Sequence, residues 1–245
     1  MKGVYINRKF GLPVSARMIF QDKLFLDWIE KNKYPMIILI SQNKVDVPNS
    51  ANISSKKTAN IDLKKDIKEI LSNFNSTTRN EVRRTFKMDD LEFRREDRID
   101  KKIYKIYKNF RKDKKLSLRD RKFLESASLY VAYYKGEPIS FVTVYDVRPS
   151  LRIQNIFSDI SKESDSELKK IIGYSTRRLI YEIAKFGSEN GYNFLDMAGV
   201  NLDDPKKQGI TKFKMGFGGE LVDEYTYTYK SPFLRKMSLF KNKFK

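Results

Sequence analysis

Cysteine and histidine are both absent from the 245 residues, and tryptophan occurs once. Without cysteine there is no disulfide, no thiolate nucleophile and no thiolate zinc site. Without histidine there is no Ser-His-Asp triad and no imidazole base, which removes most hydrolases and the acyltransferases that depend on one. Long apolar runs are missing too. The longest, Met36 to Ile40, falls far short of the ~20 residues a spanning helix needs. Met1 to Phe10 carries charge but no apolar stretch, unlike a secretory signal. A soluble, cytoplasmic protein is expected. Its chemistry must rest on Asp, Glu, Lys, Arg, Tyr, Ser, backbone dipoles or the substrate itself, and no acidic cluster calls for a metal.

What the chain has in excess is positive charge. Fifty Lys and Arg stand against 31 Asp and Glu, a net charge of +19. The excess is concentrated: 18 cations and 9 acids lie between Arg79 and Lys122, and the last 15 residues add five cations and no acid. Such a field favours nucleic acid, anionic lipid headgroups or a nucleotide ligand. A merely solvated surface accounts for it equally well.

The hydrophobic pattern predicts a mixed α/β fold. Gln21 to Lys31 reads as a helix, Met36 to Ile40 as a buried strand, and the polar stretch Ser41 to Asn60 as a loop or lobe boundary. Leu63, Ile67, Ile70, Leu71 and Phe74 form one stripe at period 3.6, predicting a helix over 61–74. Thr78 and Glu81, at capping-box spacing, predict the start of the next one. Arg79 and Arg83 are i,i+4 neighbours on that helix and could hold an anion between them. Residues 99–110 and 117–128 read as two more helices.

From Leu129 the period changes to two. LYVAYY, ISFVTVYD and LRIQNIF, separated by turns, predict an antiparallel three-strand meander. A helix from about Gly173 to Asn190 and a short strand at Tyr192 to Met197 complete a strand-helix-strand unit long enough for a parallel crossover. A Gly-rich loop and a final strand, Leu221 to Tyr229, close the fold as an edge hairpin. No Gly-x-Gly-x-x-Gly follows a first strand, so the order is not that of a dinucleotide-binding fold. The expected architecture is a mixed sheet with helices on both faces. It divides into an N-terminal segment 1–60, a main domain 61–230 and a basic amphipathic tail 231–245.

The most unusual segment is Gly209-Ile-Thr-Lys-Phe-Lys-Met-Gly-Phe-Gly-Gly219, with four glycines in eleven residues. Such a run serves either as a close backbone cradle for a ligand, with lysine charges beside it, or as a bulged hairpin with Phe213 and Phe217 in the core. Together with Gly191, Tyr192, Asp196 and Gly199 upstream, its Phe213-Lys214-x-x-Phe217-Gly218-Gly219 resembles the closing signature of FemABX-type acyltransferases of the GNAT superfamily. Thr78-Arg79-Asn-Glu-Val-Arg83-Arg84 is similar to the Arg-bearing helix that precedes the sheet in that group. The resemblance spans about Leu71 to Tyr229. The chain's length is closer to that of the compact relatives found in surface-polysaccharide gene clusters than to that of the two-lobed peptidoglycan enzymes.

The resemblance implies a GNAT-like fold and transfer of an acyl or aminoacyl group to an amine of a cell-envelope or surface-polysaccharide precursor. In that chemistry the amine attacks an activated ester or thioester directly, so neither cysteine nor histidine is required. It implies that Lys214 and Phe213 contact the anionic part of acceptor or donor, with Gly218 and Gly219 beside them, and that Asp196 acts as base or substrate orienter. Asp196 reads equally well as a turn or cap residue. Arg79 and Arg83 would bind phosphate or simply be solvated. One of Tyr133, Tyr134 and Tyr145 could protonate the leaving group. Acetyl-CoA and aminoacyl-tRNA are both open as donor. The CoA-type pyrophosphate loop has its local equivalent in Lys170-Ile-Ile-Gly173-Tyr-Ser175, whose Gly173 and Ser175 amides would hold phosphate at a helix start. Expected partners are an anionic precursor, nucleotide-linked or lipid-linked, tRNA in the aminoacyl case, and an anionic membrane met by the tail. Two further readings are a non-catalytic nucleic-acid-binding protein and a degenerate GNAT-like protein that binds without reacting. No nucleic-acid-binding signature accompanies the charge.

Overall fold

The computed structural model describes residues 3–162 and 164–236. In chain order the elements are β1 (Val4–Lys9), β2 (Leu12–Ile19), α1 (Asp22–Glu30), β3 (Met36–Ser41), β4 (Ala51–Asp62), α2 (Ile67–Asn73), α3 (Ser76–Thr85), β5 (Leu91–Glu96), α4 (Lys101–Asp113), α5 (Arg121–Glu125), β6 (Ser128–Tyr134), β7 (Glu137–Val147), β8 (Ser150–Ser158), α6 (Ser166–Glu189), β9 (Phe194–Asp196), α7 (Gln208–Met215) and β10 (Glu220–Lys230). They form two units: one ends at Thr58 and resumes at Val222, and the other is Ala59–Leu221. The chain changes unit within β4 and returns within β10.

In the first unit β1 and β2 form an antiparallel hairpin, turned at Phe10 and Gly11 with φ of 49° and 80°. Two consecutive positive φ values are what a tight hairpin turn requires, and the second falls on glycine. Helix α1 then crosses over to β3, which runs parallel to β2. Phe25, Trp28 and Ile29 of α1 are buried, packed with Ile37, Leu39, Tyr227 and Tyr229. The last strand is not the edge hairpin that alternation implied, because β10 lies between β3 and β4. Nor is 41–60 a loop throughout: β4 begins at Ala51. Its run of Asn, Ser and Lys is largely exposed until Thr58. Lys56 pairs with buried Glu224 at 3.0 Å and Lys57 with Asp223 at 2.8 Å, so the strand is tied by charge where it has no apolar face.

In the second unit the strand order is β4-β9-β8-β7-β6-β5. The meander β6-β7-β8 is antiparallel, and β8 pairs parallel to β9 after the α6 crossover. Alternation sends successive side chains to opposite faces. Tyr130, Ala132, Val142 and Val144 meet α2, α3 and α6, while Leu129, Val131, Phe141 and Phe157 meet α4 and α5. Phe141 and Phe157 stack at 4.6 Å with planes 6° apart. Helices cover both faces, as expected.

Several helix boundaries move: α5 is only Arg121–Glu125, capped by Asp120, and three others shift for an equally local reason. Helix α2 starts only at Ile67, because Asp66 caps it by accepting from the Lys68 and Glu69 amides. The capping residue of α3 is Asn75, which accepts from Thr78 N at 2.8 Å, and not Thr78 itself. Helix α6 begins at Ser166, capped by Asp165, so it starts nearly two turns ahead of the expected Gly173.

Candidate functional site

Strand β9 is three residues long and ends at Asp196, with register Ser150↔Phe194, Leu151↔Leu195 and Arg152↔Asp196 against β8. Strand β8 continues to Ser158 without further pairing to β9, so the two parallel strands part at the Arg152–Asp196 rung. Asp196 is fully buried at this point. Its Oδ2 is ion-paired with the buried Arg152 guanidinium, and its Oδ1 accepts from Ala198 N at 2.7 Å. Ala198 takes φ of +59°, turning the chain off the sheet. A carboxylate held in this way serves as an anchor for the turn, and it is not exposed to take a proton from an incoming amine.

Lys214 lies across the same turn. Its Nζ donates to Ala198 O at 3.1 Å and to Gly199 O at 2.7 Å. The segment carrying it, read as a Gly-rich loop, is helical: α7 spans Gln208–Met215. Glycine breaks the pattern only after Met215. Phe213, half-buried on α7, meets Phe217 edge-on at 5.2 Å, with the Arg177 guanidinium 5.2 Å over its ring. Phe217 is fully buried against Phe74. A β-carbon on Gly218, at φ +68°, would lie 2.2 Å from the Asn73 carbonyl oxygen, and one on Gly219 would lie 3.2 Å from Asn60. These glycines therefore permit close packing on α2 and β4. The depression of about 300 Å³ at this place is lined by Asn60, Asp62, Lys65, Asn73, Gly218 and Glu220. Its carboxylates suit it poorly to a polyphosphate. Lys65 there has its pKa raised, first by its hydrogen bond to Glu69 and then by the surrounding acids.

The two arginines of α3 do not form a matched pair. Arg79 Nη1 donates to Ser72 O at 2.7 Å and Phe74 O at 3.1 Å, closing the end of α2, while Arg83 is exposed. Arg84 reaches α6 instead, donating to the Tyr174 hydroxyl at 3.1 Å. Gly173 and Ser175 lie well inside α6, where amides bond to the preceding turn, and Ser175 is fully buried. They do not form a helix-start cradle. The real start, at Asp165, has its Glu167 and Leu168 amides already capped by a carboxylate.

Of the three tyrosines, Tyr133 donates its hydroxyl to Glu96 at 2.8 Å, and burial followed by that contact pushes its pKa up to about 12. Tyr145 is buried on β7 and Tyr134 half-buried on β6. The residue that sequence reasoning missed is Arg152. The signal was available, since a lone cation sits in the apolar alternation of LRIQNIF, but only the β8–β9 register shows what it pairs with. No group of three acidic side chains that could hold a metal occurs among the described residues, and none of their helices is long and apolar enough to cross a membrane.

Neither a protein-family model nor a curated protein sequence matches this chain. Solved structures do. FemX superposes with a TM-score of 0.61 at 12% identity, over 95% of this chain and 85% of its own. The fold is GNAT-like. L-PGS from Bacillus licheniformis follows at 0.51 and 13% identity, over 90% of this chain and 79% of its own. The DUF2156 domain named as the C-terminal part of a lysylphosphatidylglycerol synthetase from Agrobacterium fabrum gives 0.54 at 12%, over 92% and 80%. At these identities the likeness carries the fold, and the expected resemblance to the GNAT-like acyltransferases holds at that level.

Proposed function

We propose that this chain is an N-acyltransferase that passes an acyl or aminoacyl group to an amine of a cell-envelope or surface-polysaccharide precursor. The observation that carries the reading is the parting of β8 and β9 at Arg152 and Asp196, with the Lys214 ammonium held on the diverging turn. A strand edge with fixed backbone dipoles and a nearby cation is suited to stabilising a developing oxyanion. The amine forms a C–N bond at the donor carbonyl, the C–O or C–S bond breaks, and the leaving group takes a proton in exchange for the one the amine sheds. Bringing the two substrates together supplies much of the rate.

In this reading Lys214 and Phe213 face the anionic part of donor or acceptor. Asp196, through Arg152 and the Ala198 amide, holds the turn in place, and Arg83 adds a phosphate contact from the exposed face of α3. This reading puts the transfer chemistry in the unit Ala59–Leu221. An aminoacyl donor and a lipid-linked acceptor gain support from neighbours named for lysylphosphatidylglycerol synthesis. Acetyl-CoA and a nucleotide-linked acceptor belong to the same chemistry.

The test is calorimetric titration with acetyl-CoA at physiological salt, with ATP as the anionic control, followed by transfer assays with acetyl-CoA and with aminoacyl-tRNA. Selective acetyl-CoA binding identifies the donor. Equal or absent binding with turnover from aminoacyl-tRNA identifies the other. Lys214→Ala is expected to lower kcat about a hundredfold with the active donor, the scale of losing one oxyanion contact. No turnover with either donor, alongside tight RNA binding, favours the nucleic-acid reading.

A further inference from the structure

Helix α4 carries its charge in an ordered way. Lys101, Lys105, Lys108 and Lys112 recur at i, i+4, i+7 and i+11, all exposed, forming one stripe opposite the buried Ile103, Ile106 and Tyr107. Among the described residues no carboxylate pairs with any of these four lysines. Nearby acids are committed elsewhere: Asp100 caps α4, Asp120 caps α5, Asp113 pairs with Lys114, and Glu137 pairs with Lys102.

Past the end of the helix, Lys115 takes φ of +51°, and the reverse hydrogen bonds Leu116 N to Arg111 O and Lys115 N to Lys112 O form a Schellman turn. The residue in Leu116's place normally packs back on the helix. Here Leu116 is 45% exposed and Leu118 is 54% exposed. The loop is held in shape while it presents them: Arg111 donates to Ser117 O, and the Tyr104 hydroxyl donates to Arg119 O at 3.1 Å. Two outward leucines thus lie between Lys114 and Lys115 on one side and Arg119 and Lys122 on the other.

We infer that the α4 stripe and the Leu116–Leu118 loop dock this protein on an anionic lipid bilayer, with the lysines at the headgroups and the leucines entering the acyl boundary. Basic residues near an anionic surface and apolar side chains below it are the two components of interfacial binding. Nucleic acid would be served by the lysines alone. It gives the leucines no apolar phase, and the rings that could stack on bases are covered by cations, Lys108 over Tyr104 and Arg119 over Phe123. This surface is distinct from the tail 231–245, where the sequence placed membrane contact and of which 237–245 lie outside the described residues. It does not rest on the transferase reading, since vesicle binding is measured without donor or acceptor and either result can fail alone.

The experiment is co-sedimentation of the full chain with vesicles of phosphatidylcholine alone or mixed in equal parts with phosphatidylglycerol, at low and physiological salt. Wild type is expected to bind the mixed vesicles only. Leu116→Ser with Leu118→Ser should weaken that binding about tenfold, the scale of two partly buried leucines, with an unchanged melting temperature. Replacing the four lysines by Gln should weaken it more and flatten its salt dependence. Equal binding to both vesicles, or wild-type binding by both variants, overturns the proposal. So does a preference for an RNA hairpin that falls with the lysine changes and ignores the leucine changes.

Discussion

The Arg152–Asp196 pair shows how a single buried charge sets the local structure. Removing one partner leaves the other uncompensated in a place without water, which typically costs ~3–5 kcal/mol. Asp196→Asn should therefore cost about 3 kcal/mol in urea denaturation although it keeps an acceptor for Ala198 N. Arg152→Met should cost a similar amount, and the double variant clearly less than the sum. Additive losses would mean that the two side chains are not coupled. The glycines of the same region separate in kind. Gly218→Ala forces a β-carbon into the Asn73 carbonyl at positive φ and should cost at least ~2 kcal/mol, whereas Gly209, with open space around it, should accept Ala at no cost. Local sequence does not show this difference, because the clash at Gly218 depends on a helix end distant in the chain.

Tyrosine ionisation gives a pH prediction at the same scale. Burial raises Tyr130, Tyr133 and Tyr192 to about 12, with Asp146 adding to the effect at Tyr192 through a 2.6 Å hydrogen bond. Since the folded values lie above the ordinary value near 10, the fold favours the protonated phenols. Their contribution to stability is fully present below pH ~10 and is lost as pH rises toward ~12. Tyrosinate absorbance should show a late-titrating class that disappears on unfolding. One uniform transition near the ordinary value would contradict it.

At the scale of elements, α6 decides the most. Its start at Asp165 means that Gly173 occupies a helix interior, where alanine is favoured by up to ~1 kcal/mol. Its β-carbon would meet only Arg177 Nη1, at 3.7 Å. Gly173→Ala should raise the melting temperature and leave donor binding unchanged in the same titration. A loss of binding would restore the phosphate role that the sequence implied. Asp165→Ala should cost ~1 kcal/mol through the lost cap. Where an element has a strong apolar period it was legible: α1, the β6-β7-β8 meander, the α6 crossover and β9 all follow from pattern. Several of the elements that pattern missed or misplaced are polar or short. β4 is held by ion pairs and neighbouring strands, β5 (LEFRRE) has four charged residues in six, and α7 contains the very glycine that argued for a loop.

At the scale of the molecule, the net charge of +19 predicts that ATP and other polyanions bind weakly and are displaced by salt, since exposed charges are screened beyond about 8 Å at physiological ionic strength. A donor bound at the parting of β8 and β9 should persist under the same conditions. Titrations across a salt series distinguish the two, and parallel loss of both ligands would assign donor binding to surface charge.

By itself the sequence determined the chemistry that is excluded, through its missing cysteine and histidine, and the mixed sheet with helices on both faces, through periods that report which side chains must leave water. It also carried the acyltransferase resemblance, in residues whose order survives without any geometry. Tertiary structure alone decided what those residues do. Asp196 became a buried anchor because Arg152 pairs with it across β8 and β9. Arg79 became a helix clamp because the α2 carbonyls end beside it, and Gly218 became a packing point because Asn73 approaches it. Each role depends on partners between five and 145 positions away in the chain, and local pattern does not encode contacts made across a sheet.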